Sequence, residues 1–158
     1  MVEQEKPKFD LDEYFMQIAR TAHSRSTCDR KHVGAVLVDN DDDELFSTGY
    51  NGSPSGRPHC DDVGHFIHEG HCVRIVHAEI NAILNAARVD NGKLLENSTT
   101  YVTASPCPTC LVASKQAGVK RIVYDEPYRD DAMEKLAKDS GIEVVWLKNI
   151  SDSRLQKD

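Results

Sequence analysis

The chain has 158 residues, 39% hydrophobic and 28% charged, with nine glycines and six prolines. That length holds one ordinary domain around one core, and the composition excludes a disordered or low-complexity chain. A net charge of -7, with no Lys/Arg run longer than two residues, argues against a polynucleotide partner and for a small substrate.

The N-terminal MVEQEKPKFD is too charged for a secretory signal, and no apolar stretch is long enough to span a bilayer, so a cytoplasmic protein without a membrane partner is expected. Residues 1–158 read as a single domain with flexible ends at 1–9 and 149–158. Residues 10–25 place Leu11, Tyr14, Phe15, Ile18 and Ala22 at helical spacing, with acidic residues in the first turn. Val33–Val38 and Leu45–Tyr50 then read as a hairpin around the polar DNDDDE turn. Asp39, Asp41 and Asp43 fit the opening of a calcium loop. Glu44 stands where that loop requires glycine, and Tyr50 where it requires a bidentate glutamate, so a solvated turn is expected.

NGSPSGRPHCDD reads as an irregular loop. HAEINAILNAARV resumes a helix through Ile80, Ile83, Leu84 and Ala87, and TTYVTASP follows as a buried strand. CPTCLVASKQAG is a helix closed by Gly118, KRIVYD a strand, DDAMEKLAKDSG an amphipathic helix closed by Gly141, and IEVVWL a last strand. Helical crossovers make the later strands parallel, whereas the first pair is antiparallel. The expectation is an α/β fold with a five-stranded mixed sheet and helices on both faces.

Five cysteines and seven histidines in a chain expected to occupy a reducing compartment favour metal binding over disulfides. His77-Ala78-Glu79 precedes a helix and a strand, after which comes Pro106-Cys107-Pro108-Thr109-Cys110. One imidazole and two thiolates suit tetrahedral zinc with a fourth position left for water. Cys107 and Cys110 lie at a strand-to-helix junction, where the helix start favours thiolates, and His77 begins another helix. Glu79 is offset from the ligands, in the position of a proton shuttle.

This H-x-E and P-C-x-x-C pattern is the signature of zinc nucleobase deaminases. With "CDRKHVGAV", "STGYNGSPSG", "HCVRIVHAEINAI", "YVTASPCPTC" and "RIVYDEPY", the chain resembles the deoxycytidylate (dCMP) deaminases of the cytidine deaminase superfamily from Tyr14 to Trp146. The resemblance implies a three-layer cytidine deaminase-like fold and hydrolysis of dCMP to dUMP and ammonia, feeding thymidylate synthesis. Zinc would be held by His77, Cys107 and Cys110, with Glu79 moving protons. It places Asn51 and Ser105 at the substrate and Arg30 and Tyr128 at its 5′-phosphate, with Arg74 and Lys31 as alternatives. It implies a homo-oligomer, a hexamer, activated by dCTP and inhibited by dTTP with Mg2+ near Gly49, Asn51 and Gly52. It also implies a second, structural zinc on Cys28, Cys60, His71 and Cys72, with His68 an alternative to His71 and His65 a bystander.

Two other readings compete. One is deamination of cytidine, guanine or a tRNA adenosine. The other is an inactive zinc-binding nucleotide sensor, which would have no use for Glu79.

Overall fold

The computed structural model describes residues 10–128 and 131–149; the expectations for the two ends fall, save for Asn149, outside these residues. Helix α1 spans Leu11–His23 and starts where the Asp10 side chain accepts the Glu13 backbone N–H at 3.0 Å, occupying one of the donors that every helix start leaves free. The hairpin follows as β1 (Gly34–Asp39) and β2 (Leu45–Tyr50), paired antiparallel with Ala35 opposite Gly49. Helix α3 (Ala78–Asp90), β5 (Ser98–Ala104), α4 (Pro108–Ala117), β6 (Val119–Glu126), α5 (Asp131–Ser140) and β7 (Glu143–Trp146) complete the main layers. Between β2 and α3, where an irregular loop was expected, lie a one-turn helix α2 (Cys60–Val63) and a small hairpin, β3 (Ile67–His68) with β4 (His71–Cys72). Two-residue strands are too short to show periodicity in a sequence.

The five-stranded sheet runs β2-β1-β5-β6-β7. Its β5-β6-β7 half is parallel and β1 is antiparallel to both its neighbours, the mixed sheet expected from the element order. Strands β5, β6 and β7 advance in one direction across the sheet, so right-handed crossovers place α4 and α5 on one face. There they join α3 over a core of Ala35, Leu37, Val102, Leu111 and Ile122. Helix α1 covers the opposite face through Phe15, Met16 and Ala19 against Val36, Val38 and Tyr101. Strand β1 therefore shows no alternation and is buried along its whole length. Each fully buried Met16, Leu37, Leu111 or Ile122 contributes about 1.5–3 kcal/mol through apolar area removed from water.

The buried stripe of α3 is Ala78, Ala82 and Ala86, whereas Leu84 is half exposed and Ala87 exposed. The sequence pattern weighted the larger residues; close approach explains the alanines. A Cβ on Gly49 would lie 2.3 Å from the Ala78 carbonyl and 2.5 Å from the Ala82 nitrogen, so β2 and α3 touch through backbone. Polar staples hold them together. Ser47 donates to the Ala82 carbonyl at 2.7 Å, and the Asn81 and Asn85 amides donate to the Tyr50 and Thr48 carbonyls at 2.8 and 2.9 Å. The two amide bonds cover carbonyls of an edge strand, and all three fix the helix that begins beside His77. Among the described residues no helix is long and apolar enough to cross a membrane.

Candidate metal and catalytic centre

His77 is the N-cap of α3 and its side chain makes no capping bond, so the imidazole is left to face elsewhere. Cys107 is the N-cap of α4, and Pro108 occupies the first helical position, where a missing N–H costs nothing. The Cys107 sulfur accepts the Cys110 backbone N–H at 3.4 Å. The two helix starts converge, with His77 Nδ1 3.6 Å from Cys107 Sγ and 3.3 Å from Cys110 Sγ. A tetrahedral ion about 2.3 Å from sulfur and about 2.0–2.1 Å from nitrogen sets neighbouring N and S about 3.6 Å apart. The donor set thus has both the composition and the spacing of a zinc site.

Its electrostatics agree. Cys107 is held down to about 4, first because the Cys110 thiol hydrogen-bonds to its thiolate and then because His77 does. Cys110 is pushed up for the same reason, with burial and the Glu79 carboxylate adding to it. His77 is raised by its bond to Cys107. Glu79, 5% exposed in the first turn of α3, is raised by burial. Two sulfurs and a buried carboxylate around one space form a site that a divalent cation would neutralise.

A second cluster joins the end of α1 to the small hairpin. Cys60 Sγ lies 3.8 Å from Cys72 Sγ, and Cys28 Sγ 3.9 Å from His65 Nδ1. Two sulfurs on one tetrahedral zinc are about 3.8 Å apart. Cys28, Cys60 and His65 offer donor atoms within 4.8 Å of one another. Burial pushes Cys60 up to about 11, assisted by Cys72. Burial also opposes ionisation of Cys72, but hydrogen bonds from the Arg74 backbone and from His65 outweigh it and hold that thiol at about 7.

The histidine here is His65, where the sequence reading chose His71. Residues adjacent in a strand point to opposite faces, so with Cys72 turned toward Cys60, His71 is turned away; it is exposed and sits opposite the equally exposed His68 in the hairpin. The family resemblance implied His71, although adjacent ligands are less usual than ligands two to four residues apart. Strand alternation, had a two-residue strand been legible, would have removed it.

Of the remaining site residues, Asn51, Lys31, Tyr128 and Ser105 are linked in a chain of contacts that reaches the carboxyl ends of β5 and β6. Asn51 is buried; its carbonyl oxygen accepts the Val33 N–H at 2.8 Å and its amide donates to the Lys31 carbonyl at 2.6 Å, clamping the Lys31–Val33 segment. The Ser105 hydroxyl donates to the Tyr128 carbonyl at 3.0 Å and accepts the Tyr128 N–H at 2.6 Å, so it staples that segment beside Pro106-Cys107. Tyr128 is 63% exposed, with the Lys31 ammonium 5.0 Å from its ring centre. Arg30 is exposed, and the Arg74 side chain has a buried Nε without a hydrogen-bond partner among the described residues. Gly49 makes the backbone contact with α3, and Gly52 pairs with Val76 just before His77.

Residues 10–126 match the family model described as cytidine and deoxycytidylate deaminase zinc-binding region. The chain is 37% identical to ComE operon protein 2 of Bacillus subtilis over 138 residues, covering 87% of this chain and 71% of that protein. It is 35% identical to the deoxycytidylate deaminase of Enterobacteria phage T4, over 90% of this chain and 91% of that one. The structure of the dCMP deaminase from cyanophage S-TIM5 in complex with dCMP and dUMP superposes with a TM-score of 0.75 at 30% identity, covering 90% of this chain and all of that one.

Proposed function

We propose that the chain, which belongs to the cytidine and deoxycytidylate deaminase family, is a zinc-dependent enzyme that hydrolyses dCMP to dUMP and ammonia. The observation that carries the reading is the buried Glu79 carboxyl set against the His77, Cys107 and Cys110 donors. A purely structural zinc site needs no such carboxylate. The relatives named for deoxycytidylate, and the S-TIM5 structure holding substrate and product, support dCMP over the other substrates.

His77, Cys107 and Cys110 would hold the zinc, which when bound supplies a Lewis acid that lowers the pKa of water toward ~7. Glu79 takes a proton at its carboxylate oxygen and passes it to the cytosine ring nitrogen, making C4 more electrophilic. A second transfer, to the departing amino nitrogen, accompanies loss of ammonia. One C–N bond breaks, one C–O bond forms, and no electrons are gained or lost. Burial raises the Glu79 pKa above the ordinary carboxyl value, the direction that helps a carboxylate accept a proton.

Arg30, Lys31 and Tyr128 receive the 5′-phosphate: two are cationic and the third offers a hydroxyl donor beside Lys31. Asn51 and Ser105 act on substrate mainly by fixing the segments that carry Lys31 and Tyr128. A second zinc on Cys28, Cys60, Cys72 and His65 ties the short hairpin to the end of α1. The reading further includes a cytoplasmic homo-oligomer, a hexamer, that responds to dCTP, dTTP and Mg2+ at the Gly49–Gly56 loop.

Turnover measured on dCMP, CMP, dCTP and deoxycytidine tests the substrate. dCMP is expected to be used best. Equal kcat/KM for dCMP and deoxycytidine would remove the phosphate contacts from the account, and turnover of cytidine or guanine alone would replace the substrate.

A further inference from the structure

We propose that Asp29 is a positioning residue for the second zinc, the carboxylate that fixes His65 in the tautomer and orientation that metal binding needs. The inference rests on the second-zinc reading above. A histidine ligand binds through a deprotonated ring nitrogen, so its one remaining proton sits on the other nitrogen. In His65 the inward nitrogen is Nδ1, 3.9 Å from Cys28 Sγ. The outward nitrogen, Nε2, lies 2.7 Å from Asp29 Oδ1. Only the tautomer protonated at Nε2 can present a lone pair to the cation and donate to Asp29 at once.

Sequence and geometry reinforce each other here. Asp29 follows Cys28 directly, so a single turn after α1 supplies both a thiolate ligand and the group that orients the imidazole ligand. The Asp29 side chain is 70% exposed, and so exposed a carboxylate contact adds little to folding stability. Its contribution is therefore expected in metal retention: removing an outer carboxylate from a ligating histidine costs 10–100-fold in metal affinity. The cation class is divalent and borderline-soft, matching three thiols and one imidazole.

The test uses the zinc-loaded full chain and the variants Asp29→Ala, Asp29→Asn and His65→Ala. Zinc release to a chromogenic chelator gives the affinity of each site, and alkylation followed by mass spectrometry reports protection of Cys28, Cys60 and Cys72. Asp29→Ala is expected to weaken the second site 10–100-fold and unmask those three thiols, leaving retention at His77, Cys107 and Cys110 unchanged. Asp29→Asn, whose amide oxygen can still accept the Nε2 proton, recovers most of the affinity. Zinc release within twofold of wild type in Asp29→Ala, together with loss in His65→Ala, would overturn the role of Asp29 alone. Wild-type chain that binds zinc only at the His77 site would overturn the second-zinc reading and this inference with it.

Discussion

Gly49→Ala tests how tightly the catalytic geometry depends on backbone contact. The added Cβ would stand 2.3 Å from the Ala78 carbonyl oxygen and 2.5 Å from the Ala82 nitrogen, neither of which can swing aside as a side-chain tip could. Ordinary contact begins near 3.4 Å, so α3 must recede from β2 by about 1 Å. That retreat strains the Ser47 and Asn81 staples and carries Ala78, the residue between His77 and Glu79. Overpacking of this kind costs about 1–3 kcal/mol. A displacement of about 1 Å between reacting groups lowers turnover roughly 100-fold. Urea unfolding and steady-state kinetics on dCMP measure the two effects. A variant with wild-type midpoint and kcat would show that α3 tolerates the added Cβ without moving the catalytic residues, and one whose basal kcat is intact but whose response to dCTP is lost would give Gly49 the effector role expected from its loop.

Glu79→Gln should lower kcat by about 10²–10⁴ with the His77-site zinc retained, checked by metal analysis beside the kinetics. Cys60→Ser should remove one zinc equivalent per chain, leaving that at His77 in place; metal content equal to wild type would contradict the second site. Asp12 accepts from the Tyr101 hydroxyl and from Arg121, each at 2.8 Å, so Asp12→Ala should cost about 1.5–3 kcal/mol in urea unfolding. Burial first, and then that bond, raise the Tyr101 pKa above the ordinary phenol value. The raised folded-state value means its stabilising effect is complete below pH ~10 and is lost as pH rises further, because the unfolded phenol ionises first. Unfolding midpoints above pH ~10 should fall more steeply for wild type than for Tyr101→Phe, and parallel curves would contradict the assignment.

The main layers were legible because each carried its own punctuation: Asp10 before α1, Pro108 at the start of α4, and Gly118 and Gly141 after α4 and α5. The catalytic donors were legible for a related reason, since His77 and Cys107 lie at helix starts that sequence alone can place. What escaped depended on contacts across the chain. The alanine face of α3 answers to Gly49, 29 residues before Ala78, and no periodicity in α3 reports that partner. His65 reaches Cys28 across 37 residues. The resemblance pointed to the adjacent His71 and Cys72, with His68 as the alternative, and strand alternation in the hairpin turns His71 and Cys72 to opposite faces. Asn51 and Ser105 were visible as polar residues near the site, but their use as backbone clamps appears only when Lys31 and Tyr128 are in place.

Hydrolysis at C4 of dCMP is the reaction assigned to this chain. Turnover of dCMP by the zinc-loaded wild type in 18O-enriched water, followed by mass spectrometry of the product and a parallel ammonia assay, measures it directly. The expected product is dUMP carrying one heavy oxygen, with ammonia in equal amount and both abolished or sharply reduced in Glu79→Gln. Unchanged dCMP after prolonged incubation, or product formed equally fast by Glu79→Gln, would contradict it.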